Sequence, residues 1–320
     1  IGARVLQGLG AAIMMALTMA FVSETVSKER TGSAMGLLGT MSAIGTAMGP
    51  SLGGLLIGGF GWRAMFLMML PLGLLTLLLA YRYLPADQRK ADTVGSGFDP
   101  LGSLLLGLTL GAYALAMTLG RGHFGPLNIA LLLVTCVGFG LFIRVEARVA
   151  APLIRLGMFR DPQLSASLAM SLLVTTVMMA TLVVGPFYLA RALGLEAVGV
   201  GWVLSVGPLV AALAGVPAGR MADRFGARRM TFAGLIALGL GCFTLSALPR
   251  TFGIGGYLAP MVIITLGYAV FQTANNTVVM SDVAPDRRGV VSALLNLSRN
   301  LGLITGASVL GAVFALASNS

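Results

Sequence analysis

Polar groups inside long apolar runs are the residues of this chain whose chemistry lipid cannot satisfy, so they mark a cavity or a helix partner. Tyr268, Gln272, Asn275 and Asn276 recur at i, i+4, i+7 and i+8, and Ser292, Asn296, Arg299 and Asn300 share a second helical stripe. Amides at that spacing can line a solute's path or tie one helix to another, at about 0.6 to 2 kcal/mol per bond. A guanidinium is more demanding: it needs an anionic or carbonyl partner, which favours a functional role for Arg299. Arg4, in Arg4-Val5-Leu6-Gln7-Gly8-Leu9-Gly10, is a second arginine within an apolar run, or one snorkelling from a helix end.

Acid is missing from these runs. None of the 11 acidic residues, Asp99, Glu146 and Asp223 among them, lies deep within one, so no titrating carboxylate is expected at membrane depth. Cys136 and Cys242 stand singly in apolar runs and His123 lies between two, so no metal spacing is present. The phosphate-cradling Gly-x4-Gly-Lys-Ser/Thr is absent too. The expectation is therefore no metal, no cofactor and no enzyme chemistry.

Two glycine-rich motifs suit moving helices better than catalysis. Gly36 is followed by Gly45-x3-Gly49-Pro50-x2-Gly53-Gly54. Gly45, Gly49 and Gly53 recur every four residues, so they line one helix face that lets another backbone approach closely. Pro50 removes a helical hydrogen bond and is expected to bend the helix. The second motif is Gly219-Arg220-Met221-Ala222-Asp223-Arg224-Phe225-Gly226-Ala227-Arg228-Arg229. It is expected to fill a tight loop in which Gly226 takes a left-handed turn and Asp223 caps a helix start or pairs with arginine. Contacts of this kind can form in one state of a moving protein and break in another.

The elements that must position these groups follow from composition. Of 320 residues, 57% are hydrophobic and 10% charged, which excludes an ordinary soluble domain and a disordered chain. Ten apolar runs of spanning length lie near 2–22, 33–58, 62–84, 99–120, 125–145, 163–189, 196–218, 229–249, 254–281 and 289–317. Each must be a helix, because a lone span in lipid satisfies its own backbone. The net charge of +10 has no basic helix face, so nucleic acid is excluded as a partner. Fifteen of the 21 basic residues sit in loops after odd-numbered runs and four on the other side. The positive-inside rule makes the fifteen cytoplasmic and the first run outside-to-inside. That start, without Met and inside an apolar run, implies a fragment of a longer protein.

A shift of 257 residues superposes Gly10 on Gly267, Arg30 on Arg287, Gly32 on Gly289, and Gly45, Gly49 and Gly54 on Gly302, Gly306 and Gly311. The chain thus repeats a helix, a short basic loop and a glycine-rich helix. Duplicated bundles of this kind typify secondary transporters.

On these motifs the chain resembles the major facilitator superfamily, and more narrowly its fourteen-span drug:proton antiporters. The Gly45–Gly54 pattern resembles the antiporter signature of the fifth family helix. The Arg4 segment resembles a signature of the fourth, and the Asp223 loop resembles the second copy of the hallmark loop. Trp62-Arg63 and Leu70-Pro71-Leu72-Gly73 resemble the start of the sixth, with Ala64 and Met69 departing from the usual pattern.

The resemblance covers the whole chain and implies family helices four to thirteen in an all-α, two-bundle membrane fold. Residues 1–98 would belong to the N-terminal bundle, 99–150 would form two extra linking helices, and 151–320 would form the C-terminal bundle. It further implies alternating-access export of lipophilic drugs or other small toxic compounds across the bacterial cytoplasmic membrane, coupled to protons. The alternatives are a metabolite exporter for an amino acid, sugar or siderophore, and a truncated, non-transporting remnant.

The implied partners are a small-molecule substrate, protons and the bilayer, with a periplasmic adaptor protein left open. The implied roles are a leak-limiting packed face at Gly36, Gly45, Gly49, Pro50, Gly53 and Gly54. A cytoplasmic gate would form at Gly219, Asp223, Arg224, Gly226 and Arg228. Arg4 would relay protons to an acid outside this stretch, and Gln272, Asn275, Asn276, Asn296 and Arg299 would line the substrate pathway.

Overall fold

The computed structural model describes residues 2–84, 99–119, 125–149 and 151–318. Ten long helices account for most of them: α1 Gly2–Thr25, α2 Thr31–Phe60, α3 Trp62–Tyr83, α4 Pro100–Thr118, α5 Pro126–Glu146, α6 Pro162–Phe187, α7 Ala197–Phe225, α8 Ala227–Ala247, α9 Gly253–Ser281 and α10 Arg288–Ser318. No strand occurs among the described residues. Eight of the helices are long and apolar enough to cross a membrane. The chain is an all-α polytopic membrane protein, and its ten helices coincide closely with the ten apolar runs.

Local chemistry sets the helix starts. Asp99 caps α4 by accepting the Gly102 amide at 2.8 Å, and Asp161 caps α6 by accepting the Gln163 amide at 2.9 Å. Each is followed by proline at the first helical position, where its fixed φ is suited and its missing N–H costs nothing. Asn128 turns back to accept the Gly125 amide at 3.1 Å and donates to the Ala116 and Leu119 carbonyls at 2.7 and 2.6 Å. That amide closes the α4–α5 hairpin at one end.

The main departure from the sequence reading is at α7. The run was expected to end near residue 218, with the Asp223 motif in a loop. The helix instead continues to Phe225, and the turn to α8 is the single residue Gly226 at φ +90°. Charge in Arg220, Asp223 and Arg224 lowers hydropathy without interrupting the helix. At 29 residues α7 is about 44 Å long, well beyond a hydrocarbon core of about 30 Å. Its polar last turns therefore belong to the headgroup layer.

The helices pair in a consistent pattern. α8 lies along α9, α7 along α9, and α6 along α10. Apolar cores hold these pairs, one built around Val174, Leu189, Leu238, Tyr257, Ile264 and Phe271. Glycines let backbones meet: a Cβ on Gly234 would lie 2.8 Å from the Gly267 carbonyl, and one on Gly267 2.8 Å from the Gly234 carbonyl. Helices α1 and α2 join this group, chiefly by α2 along α7 and α1 along α10, with α2 also meeting α9. The α4–α5 hairpin touches α10, where Tyr113 and Thr305 share a hydrogen bond.

Candidate functional site

The seam between α1–α2 and α7–α10 holds several of the candidate residues. Along it α2 and α7 run antiparallel. Gly32 and Gly36 of α2 meet Gly219 and Gly215 of α7 with no side chain between. A Cβ on Gly36 would lie 3.0 Å from the Gly219 Cα, one on Gly215 2.7 Å from the Gly36 carbonyl, and one on Gly219 2.8 Å from the Ser33 Cα. One turn further along α2, Thr40 donates to the Ala212 carbonyl at 3.1 Å.

Asp223 finishes this seam. Its carboxylate accepts the Gly32 amide at 2.7 Å and the Ser33 amide at 2.8 Å, and the Ser33 hydroxyl also donates to it. These amides belong to the first turn of α2, which has no intrahelical acceptor for them and carries the positive end of the helix dipole. Lys28 and Asp282 add an ion pair at 3.7 Å across the same end, exposed to solvent and so of little weight. Deeper in the seam, α10 reaches α1: the Ser292 hydroxyl donates to the Ala16 carbonyl at 2.6 Å, and the Asn296 amide donates to the Met15 carbonyl at 3.2 Å. These contacts gather toward the arginine-rich end. Toward the other end the helices part, and Gly45 and Gly59 have nothing within 4 Å of a Cβ position.

The glycine motif is thus placed differently from expectation. Gly36 is buried against α7, but Gly45 is exposed and packs on nothing. The close approach lies at Gly32 and Gly36, about four to five turns before the Gly-Pro pair, because α2 and α7 touch there and diverge afterwards. Helix α2 continues through Gly49, Pro50, Gly53 and Gly54, whose surroundings lie outside the described residues, as does the Arg4 side chain.

The gate motif divides. Gly219 and Asp223 face α2, and Gly226 makes the turn. Arg224 and Arg228 are exposed, Arg224 lying over the Phe225 ring at 5.4 Å.

The polar stripe of α9 also divides. Asn275 is fully buried and donates to the Ser167 carbonyl of α6 at 3.3 Å, so it ties α9 to α6 and does not line a path. Thr273 faces α2, its hydroxyl 3.8 Å from the Cβ position of Gly39. At about 100° per residue, Gln272 and Asn276 point into the sector between these two directions. The Gln272 amide donates to the Asn276 side chain at 3.3 Å, while its own carbonyl oxygen has no partner among the described residues. On α10, Arg299 follows Ser292 and Asn296 on the same stripe at i+7 and i+3. It is half-buried, with no hydrogen bond or ion pair among the described residues.

Sequence reading missed Gly32, Gly215 and Thr40. The Gly32-x3-Gly36 and Gly215-x3-Gly219 spacings were the available signal.

Residues 1–307 match the family described as Major Facilitator Superfamily. Over 308 residues the chain is 30% identical to the Uncharacterized transporter YebQ of Escherichia coli, covering 96% of this chain and 67% of that protein. It is 27% identical over 315 residues to the Riboflavin transporter RibZ of Clostridioides difficile, covering 98% and 68%. To the Multidrug resistance protein Stp of Mycobacterium tuberculosis it is 32% identical over 326 residues, covering 98% and 58%. The chain therefore spans between 58% and 68% of the length of these relatives.

Proposed function

The chain belongs to the Major Facilitator Superfamily, and from that membership we propose that it forms the greater part of a fourteen-span, proton-coupled exporter of lipophilic drugs or similar toxic compounds. In this reading the protein sits in a bacterial cytoplasmic membrane with its arginine-rich end inside. Residues 1–98 contribute to the N-terminal bundle, 99–150 form a linking hairpin, and 151–320 contribute to the C-terminal bundle. The acid that carries the transported proton lies in helices outside this chain.

The observation that carries the proposal is the Asp223 carboxylate seated on the first turn of α2, closing the seam at one end while the helices part at the other. That is the form expected of an alternating-access transporter open to the outside. Release of Asp223 lets the bundles rock about the midplane, opening the inner side to cargo. Gln272, Asn276, Asn296 and Arg299 face the seam and contact cargo or the proton carrier. The relative named as a multidrug resistance protein supports a drug as the cargo.

The test is efflux by the full-length protein reconstituted in liposomes, driven by an imposed proton gradient. Export of a lipophilic cation that stops when a protonophore collapses the gradient supports the reading. Export indifferent to the gradient overturns the coupling.

A second reading rests on the relative named as a riboflavin transporter: the cargo is a planar metabolite. Competition separates the two, since unrelated lipophilic cations inhibit a drug exporter and leave a flavin exporter untouched.

A further inference from the structure

Two carboxylates are buried where no transport role was expected for them. Asp99 caps the start of α4 and Glu146 ends α5, so the hairpin brings them to the same end of the molecule. Glu146 is 3% exposed and Asp99 6%. Among the described residues, neither Glu146 oxygen nor Asp99 Oδ2 has a hydrogen-bond partner. Asp99 Oδ1 is occupied by the Gly102 amide at 2.8 Å. The free oxygens converge on Gly102: a Cβ there would overlap Asp99 Oδ2 and lie 3.1 Å from Glu146 Oε1. Glycine leaves room for the two acids to face each other.

Their surroundings offer little to neutralise two negative charges. The connector after α5 turns the Leu153 and Ile154 amides toward Glu146 without closing a hydrogen bond. Ile154 packs with Phe142 of α5 and Leu294 of α10, and Leu105, Leu168 and Val290 complete this apolar lining. The basic groups described on these elements are Arg144 on α5, Arg148, Arg155 and Arg160 on the connector, and Arg288 and Arg299 on α10. Arg144, Arg148, Arg155 and Arg160 are exposed, Arg288 and Arg299 are half-buried, and none forms an ion pair with either acid among the described residues.

Two ionised carboxylates that share a buried site repel one another, and one proton between them removes the repulsion and satisfies an oxygen on each side. A metal cation is a poorer occupant, because hard cations take about six or more oxygen ligands and three are free here.

We propose that Asp99 and Glu146 form a proton-binding site at the foot of the α4–α5 hairpin, separate from the seam that carries cargo. One proton taken from water forms an O–H on one carboxyl and a hydrogen bond to the carboxylate of the other, with no change of oxidation state. The bound proton keeps the hairpin seated on the connector and α10. This assignment does not depend on what the protein exports.

The test uses infrared difference spectroscopy on the full-length protein in lipid nanodiscs at neutral pH. The expected result is the carbonyl stretch of a protonated carboxylic acid, removed in both Glu146→Gln and Asp99→Asn. A band unchanged in both variants overturns the proposal. Should the variants fail to fold, the wild-type protein is treated with dicyclohexylcarbodiimide, which modifies protonated carboxyls in apolar surroundings. Modification mapped to Glu146 or Asp99, falling about tenfold per pH unit on the alkaline side, supports the site. Modification of neither residue overturns it, as does protection by sodium or potassium at fixed pH, which would assign the site to a cation.

Discussion

Asp223, near the end of α7, accepts the backbone amide of Gly32, 191 residues earlier in the chain, at 2.7 Å. One carboxylate thus supplies the missing acceptors for a helix start in the other half of the molecule. Removing a side-chain helix cap costs about 1 kcal/mol, and a partly buried charge at a helix end contributes up to about 2 kcal/mol. Asp223→Ala should therefore move the balance between closed and open inner ends about tenfold or more toward open. Spin labels on the arginine-rich ends of α2 and α7 would report a longer distance in the variant. An unchanged distance distribution would remove Asp223 from the gate.

Gly36 and Gly45 make a paired experiment. Gly36→Val inserts bulk between backbones, since even a Cβ would lie 3.0 Å from the Gly219 Cα, so transport should be lost with the protein still in the membrane. Gly45→Ala meets nothing within 4 Å and should gain about 1 kcal/mol of helix propensity, raising thermal stability with efflux retained. Equal effects of the two changes would refute a close approach confined to the arginine-rich half of α2.

The two asparagines of α9 should separate structure from pathway. Asn275→Ala loses a buried bond to α6, costing about 0.6 to 2 kcal/mol, and should lower melting temperature with substrate preference intact. Asn276→Ala should alter apparent substrate affinity with little change in melting. Thermal unfolding and concentration-dependent efflux, measured on both variants, check the assignment; the reverse pattern would exchange their roles.

Arg299 sits half-buried on the stripe that Ser292 and Asn296 use to reach α1. Its charge needs cargo, a proton carrier or a carbonyl. Arg299→Ala should abolish efflux while membrane insertion persists, and Arg299→Lys should restore part of it. Wild-type efflux by the alanine variant would reduce the residue to a packing role.

Helix number and extent were legible because spanning hydropathy leaves the backbone few options, and all ten runs became helices within a few residues at most ends. The exception, α7, is instructive: hydropathy reports depth in the bilayer, and a helix that continues into the headgroup layer looks like a loop. Asp223 could be read as a helix cap from its type, but its partner at Gly32 could not, because nothing local connects the two segments. The division of the α9 stripe was hidden for a related reason. Helical spacing says that Asn275 and Asn276 avoid lipid, and only the placement of α6 and α2 says what each meets. Asp99 and Glu146 lie at the ends of their runs, and nothing local in the sequence says that the α4–α5 hairpin brings both into a buried position beside Gly102.

The single-residue turn at Gly226 has a mechanical consequence. Because α7 and α8 are separated by two backbone torsions, the joint contains no slack. Asp223 cannot leave Gly32 by local fraying of a loop, since its neighbours on both sides are locked in helices. Any displacement of this last stretch of α7 is therefore passed directly to the first turn of α8. The Asp223 contact and the start of α8 are thus mechanically joined through a single residue.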